Sequence, residues 1–348
     1  MPSPREARLG ALVERLVQQH VDGLLVASLP NIRYLTGFSG SSALLFVSPR
    51  GAHLVTDFRY QAQARLEVGE GVSVRIEPAS LWNGVWAVLE ATPGLHAIGF
   101  ESAHLPHRDF QRLLERGGRW QWRPLMDTVE GLRARKDPDE VAQIRAAGAI
   151  AMAALTATLA DVRAGMTDLQ VCGRLERALR EAGSEAHPFP PIVASGPRSA
   201  LPHARASTRP IAAGDFLLLD FGASAGGYCS DVTRTVVVGR ADERQRATYE
   251  AVRDAHRAAV DGVRAGLTGR AADALARSVL EARGMADFFG HGLGHGIGLE
   301  VHEAPRLSRL AEDPLPIGAV VTIEPGVYLA EWGGVRIEDD VLLTADGA

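Results

Sequence analysis

One stretch limits what this chain can become: Asp220-Phe221-Gly222-Ala223-Ser224-Ala225-Gly226-Gly227-Tyr228-Cys229-Ser230-Asp231. It lies between Phe216-Leu217-Leu218-Leu219 and Val236-Val237-Val238, apolar runs that read as buried strands. The small, glycine-bearing middle is turn material, so the simplest structure is a hairpin. A turn centred between Ala225 and Gly226 sets Asp220 directly opposite Asp231, with Cβ atoms roughly 4.5–5.5 Å apart. Like charges facing each other on an apolar ribbon destabilise it unless a cation sits between them. The pair therefore predicts a metal site, completed by ligands from elsewhere in the chain.

The first 130 residues alternate strand and helix. Apolar positions at helical spacing run through residues 5–20, and Gly23-Leu24-Leu25-Val26 reads as a strand. Strands follow near 42–47, 53–56, 72–76 and 97–100, with helices near 58–66, 81–91 and 104–116. The pattern predicts an α/β domain with a mixed sheet. Asn31–Gly40 reads as a polar-aromatic loop and Asp57–Tyr60 as a charged-aromatic cluster, either able to bind ligands or serving only as a turn and a helix cap. Between Met126 and Lys136 the pattern breaks. Asp137-Pro138-Asp139-Glu140 then opens a long helix, with Asp137 as N-cap, Pro138 in the first turn and Glu140 closing a capping box. The expected domains are therefore 1–130 and 131–348. The second has helices near 167–182, 242–265 and 269–283, and strands near 192–194, 216–221, 230–238, 319–324 and 335–343. Such grouping predicts α+β, with helices on one face of a curved antiparallel sheet. Asp220 and Asp231 in the hairpin 216–238 are arranged like Glu324 and Glu338 in the hairpin 319–343, which hints at an internal duplication.

Bulk properties exclude some classes of function. The 348 residues carry a net charge of −5 and no basic block, so duplex nucleic acid is not the main partner. The 2 cysteines, Cys172 and Cys229, are too far apart for a metal-type spacing, and a reducing cytoplasm is the expected home. The N-terminus leads into a charged amphipathic helix rather than a signal peptide. No apolar run approaches the about 18 residues of a membrane span.

Three further stretches share the chemistry of the aspartate pair. Gly290-His291-Gly292-Leu293-Gly294-His295-Gly296 is followed closely by Glu300-Val301-His302-Glu303. Glu324 ends an apolar strand before Pro325-Gly326, and Arg336 and Glu338 share one face of a strand after Gly333-Gly334. Four carboxylates and an imidazole form a hard, oxygen-dominated set suited to Mn²⁺, Co²⁺ or Zn²⁺. Their charge matches two divalent ions, which could activate water near neutral pH. Asp220-Phe221-Gly222 spells a kinase metal motif, but the kinase lysine strand and catalytic loop are missing. The glycines from 292 to 298 do not form a dinucleotide fingerprint after a strand.

On these motifs the second domain resembles the pita-bread metallopeptidases, the family of methionine aminopeptidase, aminopeptidase P and prolidase. The resemblance implies a pita-bread catalytic domain behind a smaller creatinase-type α/β domain. It implies Asp220, Asp231, His295, Glu324 and Glu338 as ligands of two metal ions, Mn²⁺ foremost. Asp231 and Glu338 would bridge them, Asp220 would hold one ion, and His295 and Glu324 the other. Glu324 would also move the proton from water to the leaving amine. His203, in Leu201-Pro202-His203-Ala204, and His302 match catalytic histidines of the Xaa-Pro branch, able to donate to a carbonyl or oxyanion. His291 matches a proline-pocket residue, Arg336 a catalytic arginine beside the metals, and Tyr228 is expected to wall the pocket, with His203 also binding substrate.

Creatinase shares the fold but lacks the metal set, and methionine aminopeptidases generally lack such an N-terminal domain. The N-terminal stretches Asn31–Ser42 and Asp57–Tyr60 look like those of short bacterial aminopeptidase P-type proteins. The leading expectation is a cytoplasmic Xaa-Pro aminopeptidase acting on peptides with proline second. A dipeptide-limited prolidase is the alternative, and a non-catalytic binding module the remote one. A homodimer is what the resemblance implies.

Overall fold

The computed structural model describes residues 3–348 and divides into two compact units, Met1–Arg133 and Ala134–Ala348. The first contains, in order, α1 (Pro4–Gln18), β1 (Gly23–Val26), α2 (Leu29–Thr36), β2 (Ala43–Ser48) and β3 (Gly51–Asp57). It continues through α3 (Gln61–Glu67), β4 (Val72–Glu77), α4 (Leu81–Ala91), β5 (Ala97–Glu101), α5 (His107–Arg116), β6 (Gln121–Leu125) and α6 (Glu130–Arg133). The strands form one mixed sheet in the order β4-β3-β2-β1-β5-β6, as the alternating pattern predicts. Its core joins Leu25, Phe46, Val55 and Ile98 of the sheet to Val85, Trp86 and Leu89 of α4.

Two readings of this unit are corrected. Asn31–Thr36 is helical, not loop, because Pro30 stands in the first turn of α2 and Gly37 ends it in the left-handed region at φ 84°. Asn31 is fully buried, donating to Glu101 and Glu130 at 2.6 Å each and accepting from Arg133 at 2.7 Å. The strand β6 escaped the sequence reading because Gln121, Arg123 and Pro124 interrupt any apolar alternation. It is an edge strand, where proline is tolerated.

The second unit opens with α7 (Pro138–Asp161), which carries the expected capping box between Asp137 and Glu140. By length and composition α7 is apolar enough to cross a membrane, contrary to the sequence reading. Its small-residue stripe, Ile144, Ala147, Ala151, Ala154 and Leu155, is instead buried, most of it against α8 (Asp168–Glu181), β7 (Ile192–Ser195) and β8 (Phe216–Phe221). Next come β9 (Ser224–Ala225), β10 (Tyr228–Cys229), β11 (Val232–Val237), α9 (Glu243–Gly262) and α10 (Gly269–Ala282). The chain ends with β12 (Gly294–Gly296), β13 (Glu303–Leu307), β14 (Val320–Ile323), β15 (Gly326–Leu329), β16 (Gly333–Arg336) and β17 (Asp339–Leu342).

The expected curved sheet is divided into sheets β11-β8-β7 and β13-β12-β14-β17, with the short pairs β9–β10 and β15–β16. The predicted single strand 335–343 is broken at Ile337–Glu338. There Glu338 leaves the ladder to bridge Thr233 of the first hairpin.

The duplication is visible in the backbone. Arg163-Ala164-Gly165-Met166-Thr167 and Arg264-Ala265-Gly266-Leu267-Thr268 precede α8 and α10. Gly165 N donates to Ile211 O at 2.8 Å, and Gly266 N to Leu315 O at 2.9 Å. Thr167 bridges Pro210 as Thr268 bridges Pro314. Each half thus packs a helix pair on a hairpin, and the acidic residues of both hairpins converge between the halves.

Candidate active site

The first hairpin differs from its expected register by two residues. Asp220 pairs with Thr233 and Phe221 with Val232, and the turn is centred between Gly226 and Gly227. Those two glycines have φ 56° and 79°, the double positive φ of a tight type I′ turn, which Ala225 could not supply. A shift of two keeps the side-chain face. Asp220 and Asp231 therefore stay on one side as diagonal neighbours. In the second hairpin Ile323 pairs with Asp339 and Gly326 with Arg336, and the same register sets Glu324 facing Glu338.

His295 comes from β12. Its backbone N–H donates to Thr322 Oγ1 at 3.0 Å, and its Nδ1 lies 3.1 Å from Gly296 O. A proton on Nδ1 donates to that carbonyl and leaves the Nε2 lone pair inward. Nε2 lies 3.8 Å from Asp231 Oδ2 and 3.5 Å from Glu324 Oε1. Ligating atoms of Asp231, His295 and Glu338 all lie within 4.8 Å of one another. Asp220 joins through Arg336, whose Nη2 donates to Asp220 Oδ2 at 2.5 Å.

Electrostatics describe a site short of positive charge. Burial, then Glu338 and Asp220, push the Asp231 carboxyl well above the usual range. Burial, then Glu324 and Asp220, do the same to Glu338. Burial raises Glu324 to about 8 and raises Asp220 against the pull of Arg336. Burial also lowers His295 to about 4, which keeps its imidazole neutral. Asp220 Oδ1 and Asp231 Oδ1 are buried without a hydrogen-bond partner. Orphaned carboxylate oxygens, crowded acids and a neutral imidazole with its lone pair inward fit hard divalent cations.

The remaining candidates fall into three places. His302 is exposed, with its ring 4.4 Å from that of His295. His203 is also exposed, in the loop after Gly196–Ala200, close enough to act electrostatically on Asp220, His291 and His302. His291 has both ring nitrogens engaged, Nδ1 with Gly292 O and Nε2 with Tyr328 Oη, each at 2.8 Å. It therefore offers a ring surface beside Glu324, whose Oε2 is 4.0 Å from Nδ1. Tyr228 is placed elsewhere. Its hydroxyl donates to Glu140 Oε1 at 2.9 Å, within a buried cluster containing Ile144, Ile297 and Val320.

Four supporting residues escaped the sequence reading. Thr233 donates to Glu338 Oε2 at 2.6 Å and accepts from Arg336 Nε at 3.0 Å. Tyr328 accepts from Arg336 Nη1 at 2.8 Å. Asp340 accepts from Asp231 N at 3.0 Å, and Thr322 supports His295. Thr233 and Asp340 each stand two residues beyond an acid of the cluster and Thr322 two before one, a spacing that strand periodicity could have flagged.

Residues 142–345 match the model of metallopeptidase family M24, and residues 8–135 match the creatinase/prolidase N-terminal domain. The chain is 40% identical over 330 residues to a Bacillus subtilis protein called uncharacterized peptidase YqhT, covering 95% of this chain and 93% of the relative. A solved structure called Xaa-Pro dipeptidase from Bacillus anthracis superposes with TM-score 0.94 at 37% identity, covering 99% and 96% of the two chains. X-Pro aminopeptidase from Thermotoga maritima superposes with TM-score 0.89 at 34% identity, covering 97% and 95%.

Proposed function

The chain belongs to metallopeptidase family M24 and is a hydrolase acting on peptide bonds; from that premise we propose that it cleaves between an N-terminal residue and a following proline, with Xaa-Pro dipeptides as its preferred length. The observation that carries this reading is the convergence of Asp220, Asp231, His295, Glu324 and Glu338 beside the exposed imidazole of His302. These five side chains would hold two divalent ions, Mn²⁺ first among them. Bound there, the ions would polarise the scissile carbonyl and make water nucleophilic near neutral pH.

The chain's own groups do the rest. Glu324 takes the proton from the attacking water and returns it to the proline nitrogen as that bond breaks. His302 and His203 donate to the carbonyl oxygen as its charge grows. His291, with both nitrogens satisfied, presents a fixed ring against which the pyrrolidine packs. Arg336 holds Asp220 and Tyr328 in place without needing to touch substrate.

Similarity to the Bacillus anthracis dipeptidase over nearly the whole chain supports the dipeptide preference. Likeness to the Thermotoga maritima aminopeptidase favours a second reading, in which longer peptides are also cut. Rates on Xaa-Pro, Xaa-Pro-Xaa and longer peptides, each with Mn²⁺, Co²⁺ and Zn²⁺, separate the two. Absence of turnover on all of them would end both readings. A cytoplasmic homodimer belongs to the same proposal, and sedimentation equilibrium tests its dimeric part.

A further inference from the structure

Of 37 lysines and arginines only one is a lysine, Lys136. A chain that uses arginine everywhere else keeps the slimmer cation at one buried place. The Lys136 side chain is 1% exposed, and its Nζ donates to Glu303 Oε2 at 3.2 Å; the Glu303 side chain is 5% exposed. The other oxygen, Oε1, accepts from Glu300 N at 2.9 Å. The carboxylate thus closes the turn Glu300–Glu303, and His302 lies inside it. Gly298 ties the same turn down, donating to Glu300 O at 3.0 Å and accepting from Cys229 N at 2.7 Å. Lys136 is itself anchored, its N–H donating to Gly318 O at 2.8 Å just ahead of β14.

A compact ammonium suits this place. A guanidinium brings five donors in a rigid plane, and each would need an acceptor or water. A buried ion pair is weak evidence for stability, because apolar replacements of the same volume often serve as well. What the pair does accomplish is to connect the start of the unit to the turn that aims His302.

We propose that Lys136 is a positioning residue that, through Glu303, fixes the imidazole of His302 over the scissile carbonyl. The inference rests on the reading of His302 as a donor to that carbonyl. It is tested by a double-mutant cycle on the full-length, Mn²⁺-loaded protein with an Xaa-Pro substrate. Lys136→Met should keep its metal content and a KM within about twofold of wild type, while kcat falls about tenfold. In the His302→Ala background the same substitution should cost less than about twofold, because the group it positions is gone. Losses that simply multiply, or a loss of metal, would overturn the proposal.

Should Lys136→Met not fold, Glu303 carries the same test. Glu303→Gln keeps only one of the two acceptors that the carboxylate uses and should lose activity in part, about threefold, whereas Glu303→Ala should show the tenfold loss, absent again with His302→Ala. Equal behaviour of the two Glu303 variants would sink the idea. If wild type cleaves no Xaa-Pro bond, the functional reading fails on its own. The positioning claim is then judged by the histidine ring resonances, with His302 assigned from its alanine variant. That resonance should move in Lys136→Met while those of His53 and His107 stay; an unmoved His302 signal would refute it.

Discussion

Asp231 and His302 lie within one site but are asked to do different things, and single substitutions should separate them. Asp231 is buried, has an oxygen with no protein partner and faces His295. Asp231→Ala should therefore lose bound metal as well as activity, which elemental analysis will read directly. His302 has its ring 4.4 Å from that of His295 and is open to solvent. His302→Ala should keep its metal while kcat drops about 10²-fold, the usual loss for a transition-state donor. Metal lost with His302 would make it a ligand and reverse the roles. Tyr228 provides a contrast at the same scale. Its hydroxyl is spent on buried Glu140, so Tyr228→Phe should cost about 1–3 kcal/mol in stability, the penalty for removing one partner of a buried bond. Its selectivity for proline should match wild type; a changed preference among second residues would return Tyr228 to the pocket wall.

At the level of elements, what could be read in advance depended on how unusual each residue was for its surroundings. Carboxylates at the ends of apolar strands are anomalous, so Asp220, Asp231, Glu324 and Glu338 stood out. Thr233, Thr322 and Tyr328 are ordinary strand residues, and only register gives them a role beside the cluster. The register itself was ambiguous, since a run of small residues admits more than one turn centre until φ decides in favour of Gly226-Gly227. Helix α10 shows a support that no local pattern announces. Arg277 forms a bidentate pair with Asp273, donates to Phe289 O and His291 O at 2.9 Å each, and lies over the Phe289 ring. Asp273 accepts in turn from Leu293 N at 3.0 Å. One turn of helix thereby fixes both sides of His291 and the approach to His295. A lysine cannot span two carbonyls and a carboxylate together. Arg277→Lys should destabilise by about 1–3 kcal/mol and weaken Mn²⁺ binding, measured by competition with a chelator. Unchanged affinity would mean that the glycine-rich loop holds its shape without the clamp.

At the level of the molecule, the second unit brings four acids together from two hairpins on duplicated halves, and the folded state must answer for that repulsion. Arg336 is the guanidinium bonded within the cluster, and it is already committed to Asp220 and Tyr328. Without further cations the acids can relieve their mutual repulsion only by taking up protons, the direction in which Asp231, Glu324 and Glu338 are all pushed. The unfolded chain separates these groups and loses the site. A divalent ion therefore binds the native state almost exclusively, and stability becomes a function of its free concentration. One such site adds about 2.7 kcal/mol at a hundredfold excess over Kd and about 4 kcal/mol at a thousandfold excess. For a unit of this size that is a rise of roughly 5–15 °C in Tm. Scanning calorimetry across a Mn²⁺ titration should show Tm climbing logarithmically after saturation, and a chelator should return it to the metal-free value. Asp231→Ala controls for non-specific salt effects, because its Tm should stay flat over the same titration. A wild-type Tm indifferent to Mn²⁺, Co²⁺ and Zn²⁺ alike would mean that protons, not metal, neutralise the cluster.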